Sequence, residues 1–340
     1  MRSLLKSSVV LFLAGSAVFF CAKNAAAGDD PDVFPVPAFP PFDARKSIKL
    51  EDDRYLVEVG RAHGTIARIR DKKGGQELIA EPRLADNFRF TLPIPGKEPL
   101  LTIEANYVWG KNQKLSSFDA GANQLTLRWD KPLTNYLGEK YDAAAAMDVQ
   151  LTPDGILFRL RITNATAYPI GEVFFPLIGG LQGLGASGAE MKATQFIRPA
   201  KGDTVVSDPI FRVFTNMPQS WLGDQGPEQF YACPSGEMPA AWMELFAPQR
   251  KRSVYMGAHD PGKRPVVLRL ELLPGNSQTV REDGNWPRPR ELNGLPAGVI
   301  ACFAHFANSP AGKTYEAPPV LIAVHDGDWH EAQKIYKKSQ

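Results

Sequence analysis

Pro153-Asp154-Gly155-Ile156-Leu157-Phe158-Arg159-Leu160-Arg161-Ile162-Thr163 is the stretch on which the fold turns. A turn signal opens it. Ile156, Phe158, Leu160 and Ile162 then alternate with Arg159, Arg161 and Thr163. A period of two puts every apolar side chain on one face of a strand and every charge on the other. The same period returns at Phe88, Phe90 and Leu92 against Arg89 and Thr91, and at Leu125, Leu127 and Trp129 against Thr126 and Arg128. It returns again at Val266, Leu268, Leu270 and Leu272 against Arg269 and Glu271. Lys73-Gly74-Gly75, Pro261-Gly262-Lys263 and Pro274-Gly275-Asn276 mark further turns. Strands with one apolar face need a second layer to cover it. The pattern predicts an all-β fold, a large antiparallel β-sandwich, over residues 46–325.

Helical chemistry is confined to the last residues, 326–340. Asp328 stands where it can cap a first turn that also holds Glu331, and Lys334, Lys337 and Lys338 fall toward the negative end of the dipole. Trp329, Ala332, Ile335 and Tyr336 share one face. Such a short C-terminal helix either packs on the sandwich or connects it to a further domain.

At the other end, Arg2 and Lys6 precede an apolar run from Val9 to Phe20 and the small residues Ala25-Ala26-Ala27. That order predicts a signal peptide over residues 1–27, cleaved near Ala27, and a secreted or periplasmic protein. The run is too short to span a membrane, so no membrane span is expected. Residues 28–45 include Phe34-Pro35-Val36-Pro37-Ala38-Phe39-Pro40-Pro41-Phe42, a proline-rich linker with too few backbone donors for helix or central strand. Lys and Arg total 39 against 37 Asp and Glu, mixed along the chain, which leaves no basic stripe for nucleic acid. Export lets Cys233 and Cys302 form one candidate disulfide; two buried thiols are the equal alternative. No motif calls for a cofactor or a metal. His325 and His330 have acids between them but lack a ligand pattern. Gly183-Leu184-Gly185-Ala186-Ser187-Gly188 fits G-x-G-x-x-G without a βαβ context, and reads as a turn.

Leu50-Glu51-Asp52-Asp53-Arg54-Tyr55-Leu56-Val57-Glu58-Val59, His63-Gly64-Thr65-Ile66-Ala67-Arg68-Ile69-Arg70-Asp71-Lys72 and Gly75-Gln76-Glu77-Leu78-Ile79 resemble the opening hairpins of galactose-mutarotase-like supersandwiches. Trp242-Met243-Glu244-Leu245-Phe246, Val254-Tyr255-Met256-Gly257-Ala258-His259-Asp260 and Val320-Leu321-Ile322-Ala323-Val324-His325-Asp326-Gly327-Asp328-Trp329-His330-Glu331-Ala332 resemble the secreted bacterial glycoside-hydrolase-like DUF6259 family. The resemblance implies a carbohydrate partner, and a (β/α)8 barrel after Tyr336 that this sequence does not contain. It therefore implies the non-catalytic front sandwich of a glycoside-hydrolase-like protein. A stand-alone epimerase or lyase with a sandwich-face cleft, and a structural module of the cell envelope, are the alternatives.

Candidate binding residues follow from side-chain chemistry. Trp221 and Trp286 lie in glycine- and proline-rich stretches, where a flat indole can offer a platform to a sugar ring. Trp242, in an apolar run, reads equally well as core. His259 beside Asp260 can shuttle protons, but neighbours on a strand point to opposite faces. Before the Pro261-Gly262 turn, Asp260 is better placed to stabilise that turn.

Overall fold

A computed structural model describes residues 41–79, 84–92, 107–135, 138–181, 183–186, 190, 193–202, 204–209, 229–234, 238–274 and 297–338. The first four strands form an antiparallel meander: β1 (Ser47–Glu51), β2 (Tyr55–Gly60), β3 (Ile66–Asp71) and β4 (Gln76–Glu77). Then come β5 (Arg89–Thr91), β6 (Tyr107–Trp109), β7 (Ser117–Ala120) and β8 (Gln124–Trp129). The pair β9 (Leu133–Thr134) and β10 (Lys140–Tyr141) precedes two long strands, β11 (Ala143–Thr152) and β12 (Gly155–Asn164). The middle of the chain holds β13 (Ile170–Leu181), β14 (Gln195–Ala200), β15 (Thr204–Pro209) and β16 (Gln229–Pro234). The last strands are β17 (Trp242–Ala247), β18 (Arg252–Ala258), β19 (Val266–Pro274), β20 (Ala297–Ser309), β21 (Thr314–Glu316) and β22 (Val320–Asp326). Helix α1 (Trp329–Lys338) follows.

Two antiparallel sheets dominate. One runs β15-β14-β17-β18-β22-β12-β11-β8-β7, with β21 also paired to β12; the other runs β16-β19-β20-β13-β5-β6. The quoted hairpin lies within the larger sheet, where Thr152 faces Gly155 and Val149 faces Phe158. Gly155 takes φ +149, and a Cβ there would stand 2.4 Å from the Ile322 carbonyl oxygen on β22. Glycine permits both the turn and the close strand. The alternation resolves as expected: Ile156, Phe158 and Ile162 are fully buried while Arg159 and Arg161 are exposed.

Between the sheets lies one continuous apolar cluster. Leu127, Met147, Phe158, Met243 and Ile322 of the larger sheet share it with Phe90, Phe175, Leu268 and Phe303 of the smaller. Burying side chains of this size contributes about 1.5–3 kcal/mol each. The meander is fastened to the larger sheet by polar contacts. The Val324 amide donates to the Tyr55 hydroxyl at 2.9 Å, and Arg252 bridges Asp71 and Asp326 at 2.6 Å each.

A second apolar layer covers the outer face of the larger sheet. Trp242, Tyr255, Leu321 and Ala323 are buried there beneath Ala332 of α1, with Trp329, Ile335 and Tyr336 packed around them. Asp328 caps α1 as expected, its carboxylate accepting from the His330 amide at 3.0 Å. Among the described residues no helix is long and apolar enough to cross a membrane.

Candidate functional site

His259 and Asp260 both follow β18, and each serves a different part of the molecule. The Asp260 carboxylate accepts from the backbone amides of Gly262 (3.2 Å) and Arg264 (3.0 Å) and from Arg264 Nε (2.8 Å). This is an aspartate bonding its own turn backbone. Burial pushes the Asp260 carboxyl up, but the Arg264 bonds outweigh it and hold the group below the usual carboxylate range. Arg264 also donates to the Glu316 carbonyl at 3.2 Å, which pins the turn to the neighbouring loop.

His259 lies between sheet and helix. Its Nε2 shares a 2.9 Å hydrogen bond with the Tyr255 hydroxyl, and its ring meets the Tyr336 ring edge-on at 6.0 Å. Burial pushes its pKa down to about 4.

Trp221 and Trp286 lie outside the described residues. Trp242 is core, 1 % exposed. Cys302 is buried on β20, opposite Arg269 of β19, whereas Cys233 of β16 stands opposite Leu268 of β19. With β19 between them, the two Cα positions are separated by two strand spacings, about 10 Å. A disulfide requires less than about 7 Å between Cα atoms, and in this register the two cysteines stand on either side of β19.

All five histidines of the chain are described, and they are dispersed. His63 is exposed, with Nδ1 2.9 Å from the Gln113 carbonyl. His305 is 2 % exposed on the core side of β20, opposite Val266 and Val173. His325 Nε2 stands 3.2 Å from Glu244, a carboxylate with no exposure, while its Nδ1 is 3.4 Å from the Asp326 carbonyl. Burial pushes the Glu244 carboxyl up, and His325 pulls the other way. His330 pairs with Asp328 at 2.8 Å. Proton transfer needs an acid and a base within reach of one ligand; both ring nitrogens of His325 face protein.

A cluster of cations and rings lies on the side of the six-stranded sheet turned away from the main core, with Phe174, Arg89 and Tyr107 buried and Trp109 and Arg269 part-exposed. Strand register builds a row there: Trp109 faces Arg89, Arg89 faces Phe174, and Phe174 faces Ala304. The Arg89 guanidinium lies 4.3 Å from the Phe174 ring centre, 5.1 Å from Tyr107 and 5.7 Å from Trp109. Arg269 approaches Phe174 from the β19 side at 5.0 Å. Lys111 lies 4.1 Å from the Trp109 ring and 3.2 Å from Asp86. Burial pushes the Asp86 carboxyl up, against the pull of Lys111. Trp109 Nε1 is a buried donor with no acceptor among the described residues.

Planar cations beside aromatic rings combine hydrogen-bond donors with apolar faces. A ligand presenting both hydroxyls and C–H faces matches that pairing. Arg89 alternates with Phe88 and Phe90 as a solvent-side residue would, yet it is 5 % exposed. No local signal marks it, because Phe174 and Arg269 lie far along the chain.

No family model matches the chain, and no curated protein matches it in sequence. Among solved structures, a galactose mutarotase-like protein from Lactobacillus casei is similar over 82 % of this chain and 100 % of its own, with a TM-score of 0.50 and 12 % identity. A galactose mutarotase related enzyme from Lactobacillus acidophilus gives 0.48 and 10 %, over 83 % of this chain and 98 % of its own. A putative aldose 1-epimerase from Escherichia coli gives 0.48 and 12 %, over 82 % and 99 %. At such identities the likeness is one of fold: the chain has a sandwich fold like that of the Lactobacillus casei protein.

Proposed function

We propose that this chain is an exported carbohydrate-binding sandwich, the non-catalytic front part of a glycoside-hydrolase-like protein of the DUF6259 type. A saccharide docks against the part-exposed members of the cluster on the outer side of the six-stranded sheet, Trp109 and Arg269. The observation that carries this reading is the row of Trp109, Arg89 and Phe174 with Arg269 beside it, cations and rings interleaved on one face of a galactose-mutarotase-like fold. The dispersal of the five histidines supports binding over turnover, since none lies on that face. Fold alone does not fix function, so the site residues bear the weight.

The decisive experiment is calorimetric titration of the purified chain with a panel of neutral and acidic oligosaccharides, alongside Arg269→Gln and Trp109→Leu. Binding that weakens at least tenfold in both variants, with unchanged circular dichroism, is the expected result. Undiminished affinity in both, or no binding to any member at millimolar concentration, rejects the site. Robust hydrolysis of chromogenic glycosides by the isolated chain rejects the non-catalytic role. N-terminal sequencing of protein recovered outside the cytoplasm, expected to begin near Gly28, tests export.

A further inference from the structure

Helix α1 packs beside an ionisable residue, the half-buried His259. His259 emerges at the end of β18, with its backbone amide donating to the Pro319 carbonyl at 2.8 Å. Its half-buried ring is flanked by Tyr255 of the sheet and Tyr336 of the helix, at 5.9 and 6.0 Å between ring centres. The charged groups that face it are few. Asp154, in the turn between β11 and β12, is one; Lys338 of α1 pairs with that same Asp154 at 2.6 Å. Both partners of that pair are largely exposed, at 57 % and 72 %, so water screens them and they fix the helix end only weakly. The remaining neighbours, Tyr255 and Tyr336, carry no charge at neutral pH. Among the described residues, an imidazolium formed beside the helix therefore has the Tyr255 hydroxyl and one screened carboxylate as its polar partners.

We infer that α1 is an acid-released latch: protonation of His259 is paired with undocking of the helix from the outer face of the ten-stranded sheet. The direction follows from linkage. Docked, the ring is pushed by burial to a pKa of about 4; exposed to water, it returns toward the ordinary value of about 6.5. A depressed histidine pKa favours the docked state above pH 6.5 and disfavours it progressively as the pH falls toward 4. With these two values the docking equilibrium falls up to about 30-fold between pH 8 and pH 5. The Glu244–His325 pair lies nearer the start of the helix, with Ser253 and Asp328 as its polar neighbours. It remains in place in the variants that test His259.

The test is amide hydrogen exchange of residues 332–338 in the whole chain, normalised to β11 and β12 in the same sample and corrected for the intrinsic pH dependence. In the wild type, relative protection of the helix falls on the order of tenfold or more between pH 7.5 and pH 5 while the strands hold. In His259→Gln, which keeps a partner for Tyr255 without titrating near neutrality, and in His259→Phe, which keeps the ring contact, the fall disappears. A wild-type helix with no relative loss overturns the inference, as does a slope unchanged in both variants. An independent measurement is the His259 pKa itself by NMR. It rises toward 6.5 when Ala332→Asp displaces the helix, and a value unmoved by that displacement also overturns the inference.

Discussion

Gly257 leaves room for a neighbour's side chain. A Cβ at this position would stand 1.9 Å from the Tyr255 hydroxyl oxygen, because Tyr255 leans along its own strand and over Gly257 to reach His259. Gly257→Ala is expected to destabilise the chain by about 1–3 kcal/mol, the usual range for overpacking a filled site, and to break the Tyr255–His259 hydrogen bond. Urea unfolding measures the first effect, and a wild-type midpoint would sink the account. The sequence offers no hint of this use of glycine, since the clash involves the direction of a side chain two residues away. Asp260 is the opposite case. The Pro261-Gly262 that follows it is a turn signal in itself, and the structure finds the carboxylate bonded to that turn.

The elements divide in a similar way. Strands β8, β12 and β19 coincide with three runs of period two, and α1 coincides with the capped segment, because each signal is local. What covers each face is not local. Trp242 and Tyr255 look like any strand aromatics, and only the pairing of β17 with β18 and of β18 with β22 assembles them into the floor on which α1 lies. Ala332 has no exposure at the centre of that contact. Ala332→Asp is expected to lift the helix, since an unpaired buried carboxylate costs several kcal/mol, while leaving the sandwich folded. Exchange would then be fast across 332–338 and slow in β11 and β12. Concerted loss of protection in both would mean that helix and sandwich form one cooperative unit, contrary to this expectation.

At the scale of the whole molecule, the two-layer architecture was legible because so many strands show one apolar face, and such strands have few ways to hide it. The arginine and aromatic cluster on the smaller sheet was not, because it joins residues from β5, β6, β13 and β19 that only the sheet order brings together. The contribution of His305 to the response of the whole fold to acid belongs to the same scale. This ring sits on the core side of β20, and burial pushes its pKa down to about 4, against the pull of the Phe175 backbone. Folded chains hold it neutral, whereas unfolded chains titrate it near 6.5. Stability from this group is therefore complete above pH 6.5 and declines as the pH falls, reaching a loss of about 3 kcal/mol near pH 4. Replacing His305 by a non-titrating residue of similar bulk, His305→Phe, should flatten the global unfolding free energy between pH 7 and pH 4 by about that amount. Because the signal is global unfolding of β12 and β13, it separates from helix release at His259, which leaves those strands protected. An unfolding curve for His305→Phe with the full wild-type acid sensitivity would show that the proton uptake lies on another group.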